Sequence, residues 1–138
     1  MIQRRLGIKL GWSITAESLG YGLLLPHYGT IVVGPNHIGN YTVLHTSVCI
    51  TGNMKTIGDA LYLSTGAKIT SKVVLGDNIT VAANSVVTKS FPEGDVLLAG
   101  VPAIVLKPSE PWYIRDGSMF YDRVKKIEEL KERMFHNH

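Results

Sequence analysis

The sequence has few of the features that mark secreted, membrane-spanning or nucleic-acid-binding proteins. Its single cysteine, Cys49, cannot form an intramolecular disulfide, which favours a reducing compartment such as the cytoplasm. The longest nearly apolar run, residues 97–106, has ten residues and is too short for a membrane-spanning helix. The net charge is only +3 and the basic residues form no dense run. We therefore expect a cytoplasmic protein with no membrane insertion and no nucleic-acid partner.

Large aliphatic residues recur at every sixth position through the middle of the chain. One extra residue, between the third and fourth of them, interrupts the register. The repeated positions are Ile38, Leu44, Ile50, Ile57, Leu63, Ile69, Leu75, Val81 and Val87. The fourth residue after each of them is usually small or apolar. A period of six fits neither an amphipathic helix nor a continuous strand, and nine residues in register argue against a chance period.

Each hexad predicts a short strand followed by a corner. The lead aliphatic and the residue four positions later point inward, and three hexads close a triangular coil whose stacked copies pair as parallel strands. The fold class predicted is therefore all-β, a parallel β-helix. Thirteen positions separate Leu25 from Ile38 where two hexads need twelve, so we expect a bulge or a non-ideal corner before Ile38.

After the repeats, the pattern changes to that of a helix. Pro108, Pro111 and Trp112 mark the change of structure, and Trp112 and Tyr113 are interpreted as packing anchors. From residue 118 the apolar positions follow helical spacing; they are Phe120, Val124, Ile127, Leu130 and Met134. We predict a β-helix domain over residues 1–107 and an extension with an amphipathic helix over residues 108–138. The helix is expected to pack across the end or side of the β-helix, with stabilisation of a trimer as the alternative.

Two segments are more specific than the hexads. Residues 26–33 read Pro-His-Tyr-Gly-Thr-Ile-Val-Val, and residues 99–103 read Ala-Gly-Val-Pro-Ala. With the hexads between them, they resemble the serine acetyltransferase branch of the hexapeptide-repeat acyltransferases, and within it the short members found in surface-polysaccharide biosynthesis. The resemblance covers roughly residues 7–107. It implies left-handed winding, against the usual right-handed crossover, and a homotrimer with active sites in the clefts between adjacent β-helices.

The resemblance also implies a reaction. It is an O-acetyl transfer from acetyl-CoA, in which His27 accepts the proton of an acceptor hydroxyl as the oxygen attacks the thioester. Imidazole suits this role because it titrates near neutrality. A fixed backbone N–H would stabilise the tetrahedral oxyanion, and transfer would be direct because one cleft holds both substrates. The alternative for His27 is a turn histidine that bonds only to the backbone.

Acetyl-CoA in this family lies along the cleft, with its pantetheine arm against the later coils. The positions that match the family's cofactor-binding coil and closing turn are Ala82, Ala83, Ser85, Gly100, Val101 and Pro102. Lys89 and Lys107 are candidate contacts for the CoA phosphates, because nucleotide phosphates favour basic partners. The alternative for both is an ordinary solvated lysine.

Two departures from the family pattern affect the acceptor. The aspartate that precedes the catalytic histidine is replaced by Pro26, and the loop of residues 51–56 is short and lacks the family's second histidine. Both favour a sugar hydroxyl of a surface polysaccharide or its precursor over L-serine, which stays the alternative. Tyr28, His45 and Asn53 are the candidate acceptor-binding residues. His45 lies one nominal coil after His27, and could instead be an outward rung residue.

Two rival functions remain. The γ-class carbonic anhydrases share this fold and bind zinc through three histidines, for which His27, His37 and His45 could be imagined. Their spacing does not match that class, so we expect no metal. A non-catalytic scaffold that uses the β-helix only for assembly is the second rival.

Overall fold

The computed structural model describes residues 11–136, except for the side chains of Ser118 and His136. The strands are β1 Trp12–Ile14, β2 Ile31–Val33, β3 His37–Ile38, β4 Val43–Leu44, β5 Val48–Ile50, β6 Thr56–Ile57, β7 Tyr62–Leu63, β8 Lys68–Ile69, β9 Val74–Leu75, β10 Thr80–Val81, β11 Val86–Val87, β12 Val96–Gly100 and β13 Ala103–Pro108. The helices are α1 Trp112–Arg115 and α2 Ser118–His136, and a 3-10 turn covers Ala16–Ser18.

The strands form three sheets that the chain visits in turn. Their orders are β1-β2-β5-β8-β11, β3-β6-β9 and β13-β12-β10-β7-β4. From β2 to β11, each strand pairs in parallel with the one three strands further along the chain, so three strands make one coil. β12 pairs in parallel with β10, and β13 turns back antiparallel to β12 and ends its sheet. The result is the predicted parallel β-helix with three faces.

The nine repeated aliphatics form three inner ladders. Ile57 pairs with Ile38 and Leu75, Leu63 with Leu44 and Val81, and Ile69 with Ile50 and Val87. None of the nine is more than 6% exposed, and seven of the nine residues four positions later are also buried; Phe91 is partly buried, and Met54, next to the register slip, is 49% exposed. Removal of these side chains from water is the main stabilising contribution that a coil receives from its neighbours. The inward pattern predicted from the hexads is therefore confirmed.

The corner between the second and third faces is held by a ladder of side-chain oxygens. Asn40 N–H donates to Asp59 Oδ1 (2.8 Å), and Asp59 N–H donates to Asp77 Oδ1 (2.7 Å). Each backbone amide thus bonds to a side chain of the next coil along the chain. Gly39 lies against this ladder, because a Cβ at this position would lie 2.7 Å from the carbonyl carbon of Gly58.

The irregular stretch before Ile38 is a longer corner. Leu24 pairs with Val43, so Leu25 lies at the same place in its coil as Leu44, and Val33 pairs with Ile50. Eight positions separate Leu25 from Val33, whereas only six separate Leu44 from Ile50 in the next coil. The two additional residues lie in the segment that contains His27. The later slip falls in the corner between β5 and β6, where Asn53 and Met54 both have positive φ.

The C-terminal extension packs against the side of the β-helix, on the outer face of the sheet that contains β4, β7 and β10. Trp112 is 4% exposed, and its indole N–H donates to the carbonyl oxygen of Tyr41 (2.7 Å). Phe120 and Val124 pack on the same cluster. The hydroxyl of Tyr41 donates to Glu128 Oε1 (2.6 Å) and fixes the middle of α2.

The rest of the apolar stripe on α2 does not meet the β-helix. Ile127, Leu130 and Met134 are 38%, 53% and 70% exposed. The predicted apolar packing on the side of the β-helix therefore holds for the first two turns of the helix. Beyond them the contacts are polar: the Tyr21 hydroxyl donates to Glu128 Oε1 (3.1 Å) and accepts from Lys131 Nζ (2.7 Å). Among residues 11–136, no helix is both long enough and apolar enough to cross a membrane.

Candidate active site

Corner segments of successive coils stack along one edge of the β-helix. We call it the His27 edge and define it by residues 26–30, 45–47, 64–66, 82–85 and 99–102. Gly66 N–H donates to Thr46 O (3.1 Å), and Asn84 N–H donates to Thr65 O (3.0 Å). A Cβ at Gly29 would overlap with Thr46 Oγ1, so the first corner lies directly against the second. Most of the predicted site residues share this edge.

His27 is exposed on the longest of these corners, with Tyr28 beside it at 81% exposed. The next corner carries His45, which is half-buried. The two imidazole rings lie 6.2 Å apart between centroids, with an angle of 42° between their planes. The structure therefore brings together the predicted base and one predicted acceptor-binding residue.

His45 is held by a residue that the sequence did not single out. Its Nε2 lies 2.8 Å from the hydroxyl oxygen of Tyr62, on β7. Burial lowers the pKa of His45, the nearby charge of His27 lowers it further, and Asp116 acts in the opposite direction. His45 is thus favoured in its neutral form.

Arg115 and Asp116 reach this group from the C-terminal extension. The guanidinium carbon of Arg115 lies 4.7 Å from the centroid of the Tyr62 ring, a cation–π distance. Arg115 Nη1 donates to Thr80 Oγ1 (3.0 Å), and its Nε donates to Asp116 Oδ1 (2.8 Å). No periodic signal links α1 to these strands, so sequence reasoning missed both residues.

The predicted cofactor residues meet at the far end of the same edge. Ala82 and Ala83 lie in the corner between β10 and β11, and the N–H of Gly100 donates to the buried Ser85 Oγ (3.0 Å). This bond ties the closing turn, with its cis Val101–Pro102 peptide, to the coil before it. Val101 projects outward and is 72% exposed. Lys68, which was not predicted, donates from its ammonium to Gly66 O (2.8 Å) on this edge.

Three predicted residues are not brought to the His27 edge. Asn53 lies in the corner between β5 and β6, where its Oδ1 accepts from Lys55 Nζ (2.7 Å). Lys89 lies in the corner after β11, with its Nζ 5.5 Å from the centroid of Phe91. Lys107 is exposed on β13. Because each corner of a coil belongs to a different edge, these residues could join His27 only from a neighbouring chain or through a long ligand.

The histidines of the metal-enzyme alternative lie on different faces. His37 is exposed on β3, whereas His45 follows β4, which belongs to another sheet. Within the described part of the chain, no group of three or more His, Cys, Asp or Glu side chains is arranged to hold a metal ion.

Comparison with known proteins gives one consistent likeness. No protein-family model matches the sequence. The chain is 28% identical over 96 residues to the serine acetyltransferase of Synechococcus elongatus, covering 64% of this chain and 39% of that protein. It is 26% identical over 132 residues to the serine acetyltransferase of Staphylococcus aureus, covering 83% and 60%.

Solved structures agree. The serine acetyltransferase of Neisseria gonorrhoeae superposes with a TM-score of 0.67 at 27% identity, over 79% of this chain and 45% of that one. The same enzyme is known in complex with serine, at 28% identity and a TM-score of 0.63 over 75% and 45% of the two chains. A serine acetyltransferase from Brucella abortus in complex with coenzyme A gives a TM-score of 0.56 at 27% identity, over 73% and 41%. The chain thus spans between 39% and 60% of the length of these relatives.

Fold and repeats define a left-handed parallel β-helix of hexapeptide repeats with a C-terminal helix, as predicted. Within that class, the chain is similar to serine acetyltransferases with hexapeptide repeats, which confirms the resemblance found in the sequence.

Proposed function

We propose that the chain is an acetyl-CoA-dependent O-acetyltransferase with His27 as its general base. One observation carries the proposal: His27 and the predicted cofactor-binding corners lie on a single edge of the β-helix. The serine acetyltransferase relatives, one of them known with coenzyme A bound, support the donor.

In this mechanism, acetyl-CoA lies along the His27 edge, with its pantetheine arm against Ala82, Ala83 and the turn of residues 99–102. The acceptor oxygen attacks the thioester carbonyl carbon while its proton passes to His27. The carbon–sulfur bond then breaks, the acetyl group stays on the acceptor, and the proton leaves with CoA as its thiol. Lys68, whose ammonium bonds to Gly66 O on this edge (2.8 Å), supplies positive charge for the CoA phosphates together with Lys89 and Lys107 from other faces.

The acceptor in our proposal is a sugar hydroxyl of a surface polysaccharide or its precursor. A serine site must pair an ammonium and a carboxylate, and such groups are costly to bury without partners. Near His45 the two ionic side chains, Arg115 and Asp116, bond to each other (2.8 Å). Tyr28 and His45 offer a hydroxyl and an imidazole beside His27, which suit a neutral sugar, and Asn53 would join them from a neighbouring chain.

L-serine is the second candidate, and the relatives favour it. Both of the curated relatives described above are serine acetyltransferases, and one of the similar structures holds serine. The choice between the acceptors therefore needs an assay. Purified protein with acetyl-CoA would be given L-serine, or a panel of free sugars, nucleotide sugars and oligosaccharides, and release of the CoA thiol would be followed. Acetylation of serine with no sugar turned over would overturn the sugar assignment.

The role of His27 has its own test. His27→Ala should lower turnover about a hundredfold or more, the usual contribution of a general base, and should leave CoA binding intact. His37→Ala is the matched control, because His37 is exposed on a different face. If His27→Ala kept full activity on the acceptor that the wild type uses, His27 would be structural.

A homotrimer and a cytoplasmic location complete the proposal. In a trimer a neighbouring β-helix would cover the exposed His27 edge and form a cleft. Light scattering that gave a monomer at assay concentration would contradict an interfacial site. The lone Cys49 supports a reducing compartment.

A further inference from the structure

A histidine that takes a proton works best when a second group fixes its ring. The neighbours of His27 in the chain do not offer such a group on its own corner. The ring of Pro26 has no hydrogen-bonding atom, and Tyr28 projects into solvent. The structure instead lays the ring of His45, one coil further on, beside that of His27 at 6.2 Å between centroids.

The ring of His45 is itself held by a chain of contacts. Tyr62 bonds to its Nε2 (2.8 Å) and also packs against its ring, with centroids 5.1 Å apart. Arg115 lies over the ring of Tyr62, and a hydrogen bond to Thr80 Oγ1 anchors its guanidinium group. These contacts join a corner, two strands and α1, so the orientation of His45 depends on the docked extension.

We propose that His45 is a positioning residue for His27, and that Tyr62 and Arg115 hold His45 in that role. The inference rests on the proposed function, since it assumes that His27 is the base. It gives His45 a role before the acceptor arrives, in addition to lining the acceptor site. It also makes the C-terminal extension part of the active site.

The charges around His45 are consistent with this role. Among the described residues, the groups that face it are His27, Tyr62, Arg115 and Asp116; burial and the charge of His27 lower the pKa of His45, and Asp116 opposes them. Burial raises the pKa of Tyr62, so its hydroxyl stays neutral. In the tautomer with the proton on Nε2, His45 donates to the Tyr62 oxygen and leaves Nδ1 free. Nδ1 then accepts a hydrogen bond from one water, which in turn accepts one from protonated His27.

Tyr62→Phe is the first test, because it removes the hydroxyl and keeps the ring that packs against Arg115 and Trp112. We expect kcat to fall by about ten- to a hundredfold, the scale of a misplaced catalytic group, while KM for acetyl-CoA stays unchanged. Arg115→Met should act in the same direction, with Arg115→Lys recovering part of the rate. Tyr113→Phe is the matched control. Tyr113 lies on α1 beside Arg115 but outside the contacts that hold His45, so this variant should keep wild-type kcat. Full kcat in Tyr62→Phe alongside an inactive His27→Ala would overturn the inference and leave the proposed function standing.

The second test needs no activity. Proton NMR of the imidazole C–H signals would follow the titration of His45 in the wild type and in His27→Ala. Removal of the neighbouring charge should move the midpoint of His45 upward, and Tyr62→Phe should shift the His45 signals. A His45 titration that is identical in wild type and His27→Ala would overturn the inference, even if no acceptor were ever found.

Discussion

Lys55 occupies an inward position of the third coil where the repeat would place an apolar residue. It stacks below Ser18 and Asn36 of the first two coils: Asn36 N–H donates to Ser18 Oγ (2.8 Å), and Lys55 N–H donates to Asn36 Oδ1 (2.9 Å). The Lys55 side chain is fully buried. Its ammonium donates to Thr51 O (2.6 Å), Gly52 O (2.7 Å), Asn53 Oδ1 (2.7 Å) and Thr51 Oγ1 (2.8 Å). An internal cation therefore holds the corner that contains the extra residue.

Lys55→Met keeps the length of the side chain and deletes this cation. Of the four acceptors, Thr51 O keeps a bond from Asn36 Nδ2 (3.0 Å), and the exposed Asn53 can turn to water. Gly52 O and the Thr51 hydroxyl lose the ammonium without an equivalent partner, at about 1–3 kcal/mol each. Release from the burial that lowers the pKa of Lys55 offsets part of this loss. We expect a net loss of about 2 kcal/mol in the free energy of unfolding.

Urea denaturation followed by circular dichroism would measure the difference, at one protein concentration because subunit association changes apparent stability. In a thermal melt it corresponds to a decrease of about 7 °C for a chain of this length. Lys72→Met is the control, since Lys72 is exposed in the following coil and should change stability by less than about 0.5 kcal/mol. Equal stability of the two variants would refute the internal-cation interpretation.

Three further predictions follow from contacts elsewhere in the β-helix. Tyr41→Phe should loosen α2 and lower its protection from hydrogen exchange, because it removes a bond to Glu128 worth about 1.5–3 kcal/mol; unchanged protection of α2 would contradict this. Gly39→Ala should cost about 1–3 kcal/mol through overpacking against Gly58, and an unchanged free energy of unfolding in urea would contradict it. The pKa of His45 is lowered in the folded chain, so its stabilising contribution is present above about pH 6.5 and is lost as pH falls through the folded value; His45→Gln should flatten that part of the stability–pH curve, and an unaltered curve would count against it.

The hexad positions were predictable because the lead side chain of each short strand is buried inside its own coil, which is a local requirement. An apolar side chain is favoured at the inward position of each short strand whatever lies far away in the chain, so the period alone identified residues such as Leu63 and Ile69. The resemblance to the serine acetyltransferases, and not the period, indicated the predicted cofactor corner of residues 82–85 and the closing turn of residues 99–102. The period also detected that the register slips before Ile38, although not that the longer corner is the one that contains His27.

Only the tertiary structure decided what stands around His27. The repeat does not encode which edge of the coil a corner joins, so Asn53 and Lys89 were grouped with His27 although they lie on other edges. Arg115 reaches Tyr62 across 53 positions of sequence, and Tyr41 meets Glu128 across 87. Such contacts depend on where α1 and α2 dock, which is set by the fit of Trp112 and Phe120 on a finished sheet. The six-residue period reflects the apolar inward positions that all coils share. The neighbours of His27 are instead set by one packing arrangement, which is not repeated in the chain and leaves no periodic signal.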